Sequence, residues 1–416
     1  MSKIFIQIAS YRDPQLLITI KNCLENAKHP KNLVFGICNQ YHPDDEFNID
    51  EFRKDKRFKI IDVIYTEARG ACWPRNQVQQ LYNGEEYTLQ IDSHMRFAPN
   101  WDVELIKMLK SLQKKGVKKP LLTGYVSSFN PNNDPNERVK EPWEMVFDRF
   151  IPEGAIFFLP QTIPNWETLT EPIKTRFYSA HFCFVSGKFC EEVQHDPNYY
   201  FHGEEISVGV RAFTHGYDLY HPHKTLIWHE YTRVSRVKSW DDDKLWYLKN
   251  EDSHKRNRKL FSMDGEVYNP EEFGKYGFGT ERTLNDYEIY SGILFSKRAV
   301  QQYTLDKHHP PNPYPYETEE EWLDSFASIF KHCIDISFNQ VPEKDYNFWV
   351  VAFHDENDET LFRKDADKVE ISRLFTDPDK YCKIWREFPT SKKPKYWVVW
   401  PHSESKGWCD RITGHL

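Results

Sequence analysis

Between residues 1 and 130 the chain alternates short apolar runs with stretches whose apolar residues recur at helical spacing. That alternation leaves few folds open. Ile4 to Ile8 reads as a strand. Asp13-Pro14 then opens a helix, with Asp as the cap and Pro at the first helical position, and Leu16, Leu17, Ile20 and Leu24 share one face up to Pro30. Leu33–Cys38 and Lys59–Tyr65 read as buried strands. A second helix starts at Pro74, runs through Val78 and Leu81, and closes at Gly84. Tyr87–Ile91 is the next strand, and Asn100 caps a third helix with Val103, Ile106 and Leu109 inward. The pattern predicts an α/β fold in which helices cover a largely parallel sheet.

Further along, the texture changes. Residues 127–175 are rich in Pro, Asn and Glu with little periodicity, which predicts long loops over the sheet. Arg176–Val185 reads as a strand, Gly203–His215 as a helix ended by Gly216, and Leu219–His221 and Leu226–Glu230 as short strands. Residues 233–300 are polar and charged, the texture of either a mobile flap or a solvated helical surface. After Pro310-Pro311-Asn312-Pro313-Tyr314-Pro315, Phe348–His354 and Tyr396–Trp400 are β-prone, and Asp355 to Asp358 reads as a hairpin tip. A boundary near 310 is expected, dividing an α/β domain (1–309) from a small β-rich accessory domain (310–416) of unassigned role. No internal repeat is visible.

Composition narrows the function classes. The 63 acidic residues outnumber 55 basic ones, for a net charge of −8, so no nucleic-acid partner is expected. Aromatics reach 16%, which excludes global disorder. No run of eighteen apolar residues predicts a membrane span, and the first apolar stretch is too short for a secretory leader. The eight cysteines are scattered without a CxxC, which reads as reduced thiols in a cytoplasmic protein.

Four places carry chemistry. Leu89-Gln90-Ile91-Asp92-Ser93-His94 runs an apolar strand into Asp-x-His. Ligands bind at the carboxyl ends of strands in open α/β sheets. A carboxylate with an imidazole suits a divalent ion of the Mn²⁺ type better than Ca²⁺. Equally, Asp92 can cap a turn and His94 can be a surface histidine. In Phe201-His202-Gly203-Glu204-Glu205 two carboxylates open a helix, either as first-turn acids favoured by the macrodipole or as acceptors for sugar hydroxyls. The strand Leu226–Glu230 ends in His229, a candidate for the ligand that Asp92 and His94 lack. Ser10-Tyr11-Arg12-Asp13, and Arg69-Gly70 through Arg75-Asn76, lie at strand-to-helix turns. There Arg12 or Arg75 can pair with phosphate or with a surface carboxylate. Neither a P-loop nor a G-x-G-x-x-G motif is present.

The order Ser-Tyr-Arg-Asp, Arg-Gly…Arg-Asn, Gln-Ile-Asp-Ser-His, Gly-Glu-Glu-x-Ser, Trp-His-Glu resembles the cytoplasmic hydroxyproline-directed polypeptide N-acetylglucosaminyltransferases. It is more distantly similar to the polypeptide N-acetylgalactosaminyltransferases. The likeness covers roughly residues 1 to 300, with Leu89–Phe97, Tyr200–Ser207 and Gly277–Leu284 its most specific pieces. It implies a GT-A-type, Rossmann-like open sheet. It also implies a metal held by Asp92, His94 and His229, with the nucleotide against Ser10, Tyr11, Arg12, Asp13, Arg75 and Asp92. Glu204 and Glu205 would then face donor sugar and acceptor as catalytic residues. The implied reaction is metal-dependent, retaining transfer of GlcNAc from UDP-GlcNAc to a protein hydroxyproline, Ser or Thr, or to a glycan, with Mn²⁺ or another divalent cation. Front-face attack is the favoured route. Two alternatives stay open: another UDP-hexose used in bacterial or viral glycan assembly, and a non-catalytic nucleotide-sugar or glycan-binding protein.

Overall fold

The computed structural model describes residues 2–233, 236–376 and 380–416. The chain forms two compact units, one of residues 1–296 with 303–313, the other of 297–302 with 314–416.

The first unit is built on an eight-stranded sheet ordered β3-β2-β1-β4-β10-β6-β11-β9. Its members are β1 (Ile4–Tyr11), β2 (Leu33–Tyr41), β3 (Phe58–Ile64), β4 (Tyr87–Asp92), β6 (Pro120–Thr123), β9 (Ile173–Lys174), β10 (Phe182–Ser186) and β11 (Asp218–His221). β1 pairs parallel with β2 and with β4, and β2 pairs parallel with β3. β10 runs antiparallel to both β4 and β6. Ile4, Phe5, Ile6 and Ile8 are all buried, so β1 is covered on both faces, as a parallel central strand must be. Helices α1 (Leu16–Asn26), α2 (Cys72–Gln79) and α3 (Trp101–Lys114) follow β1, β3 and the short strand β5 (Met95–Phe97). This is the α/β architecture, an open sheet flanked by helices, expected of a GT-A-type domain.

Chain order reverses between β1 and β4, which lie side by side with Ala9 opposite Asp92. Their carboxyl ends therefore open into the crevice at a topological switch point. Two short strands extend that edge. β5 (Met95–Phe97) pairs antiparallel with β12 (Ile227–His229), which places His229 opposite Met95.

Several local expectations shift. Regular helix α1 begins at Leu16 rather than at Pro14, while Asp13 still caps the turn that leads into it, its Oδ1 accepting the Gln15 amide and its carbonyl the Leu16 amide. Helix α2 starts at Cys72, two residues before Pro74. Helix α3 buries Trp101, Leu105, Met108, Leu109 and Leu112, while Val103 and Ile106 sit at the margin. Asp102 sets this rotation by accepting the Lys28 and His29 amides. Residues 127–175 are not only loop. They contain a hairpin of β7 (Trp143–Phe150) and β8 (Ile156–Thr162), whose alternation is broken by a register shift between Phe147 and Arg149. The predicted strand Arg176–Val185 is one only from Phe182. Before it, Arg176 is buried and donates to the Ser291 and His308 carbonyls, and Ser179 turns back to bridge Phe182.

Residues 236–296 are largely helical where described. In α7 (Trp246–Leu260), preceded by α4 (Phe189–Glu192), α5 (Glu204–Thr214) and α6 (Ser239–Asp242), the buried side is polar apart from Leu260 at its end: Asn250, Ser253, His254 and Asn257. That row serves irregular backbone. Ser253 Oγ accepts the Tyr200 amide (2.6 Å), Asn250 Oδ1 accepts the His202 amide (3.2 Å), and Asn257 donates to the Gly154 carbonyl in the β7–β8 turn (2.9 Å).

In the second unit Phe326–Ser337 pairs antiparallel with Tyr381–Thr390, and Tyr346–His354 with Tyr396–Ser403. Its core holds Ile334, Trp349, Val351, Phe353, Ile384 and Val399. The hairpin tip at Asp355–Asp358 is present, the Asp355 carboxylate accepting the Asn357 and Glu359 amides. Among the described residues no helix is long and apolar enough to cross a membrane. All eight cysteines are free thiols.

Candidate metal and donor site

The site is assembled at the carboxyl ends of β1 and β4. Asp92 is the last residue of β4, and His94 follows two residues later. His229 arrives from far along the chain because β12 pairs with β5, a pairing continued by the Glu230 amide donating to the His94 carbonyl (3.1 Å). His94 Nε2 lies 2.9 Å from His229 Nε2. Asp92 Oδ2 lies 3.4 Å from His229 Nε2 and 3.6 Å from His94 Nε2. Ligand atoms sharing one ion at about 2.1 Å stand about 3.0 Å apart in an octahedron and about 3.4 Å apart in a tetrahedron. The three separations bracket those values, so these residues fit a divalent cation. Burial pushes the His229 imidazole down to about 4, despite its hydrogen bond to Asp92, so its ring stays neutral near pH 7. Burial also works against the Asp92 carboxylate, but the His229 hydrogen bond and the charge of Arg75 hold it well below its ordinary range. A neutral imidazole and an ionised carboxylate are the forms that bind metal.

Asp13 stands behind this triad. Its Oδ2 lies 2.7 Å from His94 Nδ1 and accepts from Ser93 Oγ (2.6 Å), while Oδ1 accepts the Gln15 amide (2.8 Å). A carboxylate on the far nitrogen fixes the tautomer that turns Nε2 outward. Asp13→Asn is expected to weaken Mn²⁺ binding by about 10- to 100-fold while the fold persists. A Mn²⁺ titration followed by calorimetry checks this, and unchanged affinity would remove Asp13 from the site.

The other expected residues are brought to the same region with different partners. Ser10 is buried, and its carbonyl accepts from Gln40 (3.1 Å). Tyr11 donates to Asp242 (2.7 Å). Arg12 pairs with Asp242 (2.9 Å) and Asp45 (3.0 Å), so it is held by two carboxylates in this structure. Arg75 is buried as well. Its Nη1 lies 2.7 Å from both oxygens of Glu204, and its Nη2 lies 3.0 Å from Asp92 Oδ1. Glu204 also accepts from Cys72 Sγ (2.7 Å), with His195 Nδ1 at 4.0 Å. This second buried group of potential ligands already has the Arg75 guanidinium as its cation.

Glu204 and Glu205 therefore part company. Gly203, at φ 90°, turns the chain into α5. Glu204 then faces Arg75, and Glu205 points to the other side. There it accepts the Ala180 amide (3.0 Å) and the Tyr125 hydroxyl (3.0 Å). The Ala180 amide is available because the chain is not yet strand at that point. Burial raises the Glu205 carboxyl to about 7.

Two cavities meet at Asp92. A chamber of about 360 Å³ is lined by Glu205, Tyr125, His181, Tyr231 and the hairpin's Phe157 and Phe158. A smaller cavity of about 130 Å³ is lined by Tyr11, Gln40, His94, Arg236, Lys238 and Trp240. Arg75, Asp92, Phe201 and Arg233 reach both. The basic residues Arg233, Arg236 and Lys238 were not singled out as site residues from sequence. Their signal was present, a cluster of cations just after the strand that ends in His229. Arg236 lies 3.4 Å from Asp13 Oδ2, and Arg233 stands over the Trp240 ring at 5.7 Å. Of the aromatics near the motifs, Phe201 lines both cavities, whereas Tyr199 and Tyr200 are buried.

An open sheet with potential cation ligands at its switch point, between two adjoining cavities, is the arrangement of a GT-A-type glycosyltransferase. The sequence profile described as Glycosyltransferase (GlcNAc) matches residues 3–56 and 46–297, and the chain belongs to that family. Among solved structures it is similar to GalNAc-T7 with UDP, GalNAc and Mn²⁺, at 14% identity over 63% of this chain and 49% of that one, with a TM-score of 0.47. S. aureus TarS in complex with UDP-GlcNAc aligns at 12% identity over 59% of this chain and 66% of that one, TM-score 0.34. The mannosyltransferase PcManGT from Pyrobaculum calidifontis, in complex with GDP-Man and Mn²⁺, aligns at 11% over 56% and 59%, TM-score 0.37. The matched region spans about half the length of GalNAc-T7. No curated protein matches the chain.

Proposed function

We propose that this protein transfers GlcNAc from UDP-GlcNAc to a hydroxyl on a protein or glycan, with retention and with a divalent cation such as Mn²⁺. The observation that carries the reading is the Asp92–His94–His229 triangle at the meeting of the two cavities. A cation bound there would neutralise the charge that builds on the departing diphosphate. Arg236 and Lys238 add positive charge on the side of the smaller cavity, where Tyr11 and Trp240 offer ring faces to a base. Arg233 stands at the junction, where it can follow the leaving phosphate. The sugar then occupies the chamber beside Glu205.

Front-face attack is favoured because neither carboxylate is free to act as a nucleophile. Glu204 is committed to Arg75, and both oxygens of Glu205 already accept hydrogen bonds. Glu205 is better placed to orient the incoming hydroxyl. The resemblance to the hydroxyproline-directed enzymes supports GlcNAc as the sugar, and the free cysteines agree with a reducing, cytoplasmic setting.

The test is a panel of UDP-sugars with Mn²⁺ and no acceptor, read as UDP release. UDP-GlcNAc is expected to be hydrolysed fastest, and EDTA to stop the reaction. Preference for UDP-GalNAc or UDP-Glc would replace the donor. UDP binding without turnover of any sugar would make the protein a nucleotide-sugar receptor.

A further inference from the structure

Resting on the transferase reading above, we infer that the acceptor is a neutral oligosaccharide. Its reacting sugar lies in the chamber, and its following sugars lie along a groove that crosses Trp143. The groove, of about 940 Å³, is lined by Phe129, Asn130, Asn132, Arg138, Trp143 and Thr232 among others, and it shares Pro160 and Tyr231 with the chamber. A path therefore leads from Asp92 past Tyr231 to Trp143. The room along it exceeds what one sugar needs.

The lining indicates what fills it. Phe157 and Phe158 are half-buried on one wall of the chamber, and Trp143 is half-buried in the groove, its ring 5.9 Å from that of Tyr231. Glu205 and Tyr125 stand across the chamber, and the exposed amide of Asn132 lines the groove. Aromatic faces for C–H surfaces, with carboxylate and amide groups for hydroxyl edges, suit a pyranose chain. The charged residues of the groove's lining, Arg138 and Glu137, balance one another in sign. Arg138 is held by Asp134, and Glu137 accepts from Asn130 (2.7 Å) and Asn133 (2.6 Å). A neutral ligand follows.

A polypeptide is the less suited occupant. An extended peptide takes much of its affinity from main-chain hydrogen bonds to an open strand edge. Here the groove's backbone is used internally. The Phe129 amide donates to the His229 carbonyl, the Val139 amide to Ser128, and the Asn130 amide to Glu137.

The experiment uses the full chain with Mn²⁺, UDP-GlcNAc and neutral p-nitrophenyl mono-, di- and trisaccharides, beside a hydroxyl-bearing Ser/Thr/hydroxyproline peptide. From one sugar to three, kcat/KM is expected to rise about ten-fold, the factor that one added aromatic contact supplies. Trp143→Ala should remove that gain and, separately, the surface change Asn132→Ala should reduce it, both through acceptor KM. Acceptor-free UDP release, which also reports folding, should stay at the parent rate. Rates independent of chain length, a gain that survives both substitutions, or transfer to the peptide alone would overturn the inference and leave the transferase standing. Absence of UDP release in the parent protein would instead strike the transferase reading and the inference with it.

Discussion

Asp92→Ala is expected to reduce Mn²⁺-stimulated UDP release by about a thousand-fold, the scale on which a group stabilising developing charge is felt. The expectation follows from what Asp92 touches. Its Oδ2 is the one acidic atom of the triangle with His94 and His229, and its Oδ1 accepts a hydrogen bond from Arg75 Nη2. Without it, two imidazoles remain, too few to hold a hard cation against water. The fold should survive, because Arg75 keeps both oxygens of Glu204. Initial rates across a Mn²⁺ titration, with a circular-dichroism melt of the same preparation, check both halves. Wild-type turnover at saturating Mn²⁺ would show that the cation, if required, is held elsewhere.

Much of this arrangement is legible from sequence, and its gaps have physical causes. The parallel sheet was readable because strands covered on both faces appear as short continuous apolar runs, as in Ile4–Ile8 and Tyr87–Ile91. Asp-x-His stood out because it terminates such a run. The hairpin Trp143–Thr162 was not readable. Prolines interrupt the stretch around it, and the register shift between Phe147 and Arg149 breaks the alternation that marks a half-buried strand. Asp13 looked like a helix cap, since Asp-Pro has that signature. One oxygen does cap, accepting the Gln15 amide, but the partner of the other, His94, lies 81 residues away and is reached only through the pairing of β1 with β4. The same limit applies to Glu204 and Glu205. Adjacent acids at a helix start look equivalent in a sequence, yet about 100° of helical rotation separates them, and their partners come from other segments. The basic residues after His229 were visible as charge, but only the β5–β12 pairing shows that they border the site.

That separation of the two glutamates sets the second large effect. Arg75→Met is expected to destabilise the first unit by about 3–5 kcal/mol, because it leaves the buried Glu204 and the adjoining Asp92 without their shared cation. Glu204→Gln removes one of the two charges facing Arg75 and is expected to fall between this variant and the parent. Glu205→Gln should behave differently. Burial raises the Glu205 carboxyl to about 7, so the folded protein retains a proton that the unfolded chain releases near the ordinary glutamate range. Stability from this group is therefore fully present below that range and is lost as pH climbs to about 7. The amide carries no such penalty. Its unfolding midpoint relative to the parent should rise between pH 5 and pH 8, while its transfer rate falls by about a hundred-fold through loss of the hydroxyl-orienting carboxylate. Urea unfolding at the two pH values, paired with UDP-GlcNAc turnover, separates the roles. If Glu204→Gln left stability untouched and alone abolished turnover, the ion pair with Arg75 would not be what Glu204 is for, and Glu204 would return to the reacting centre.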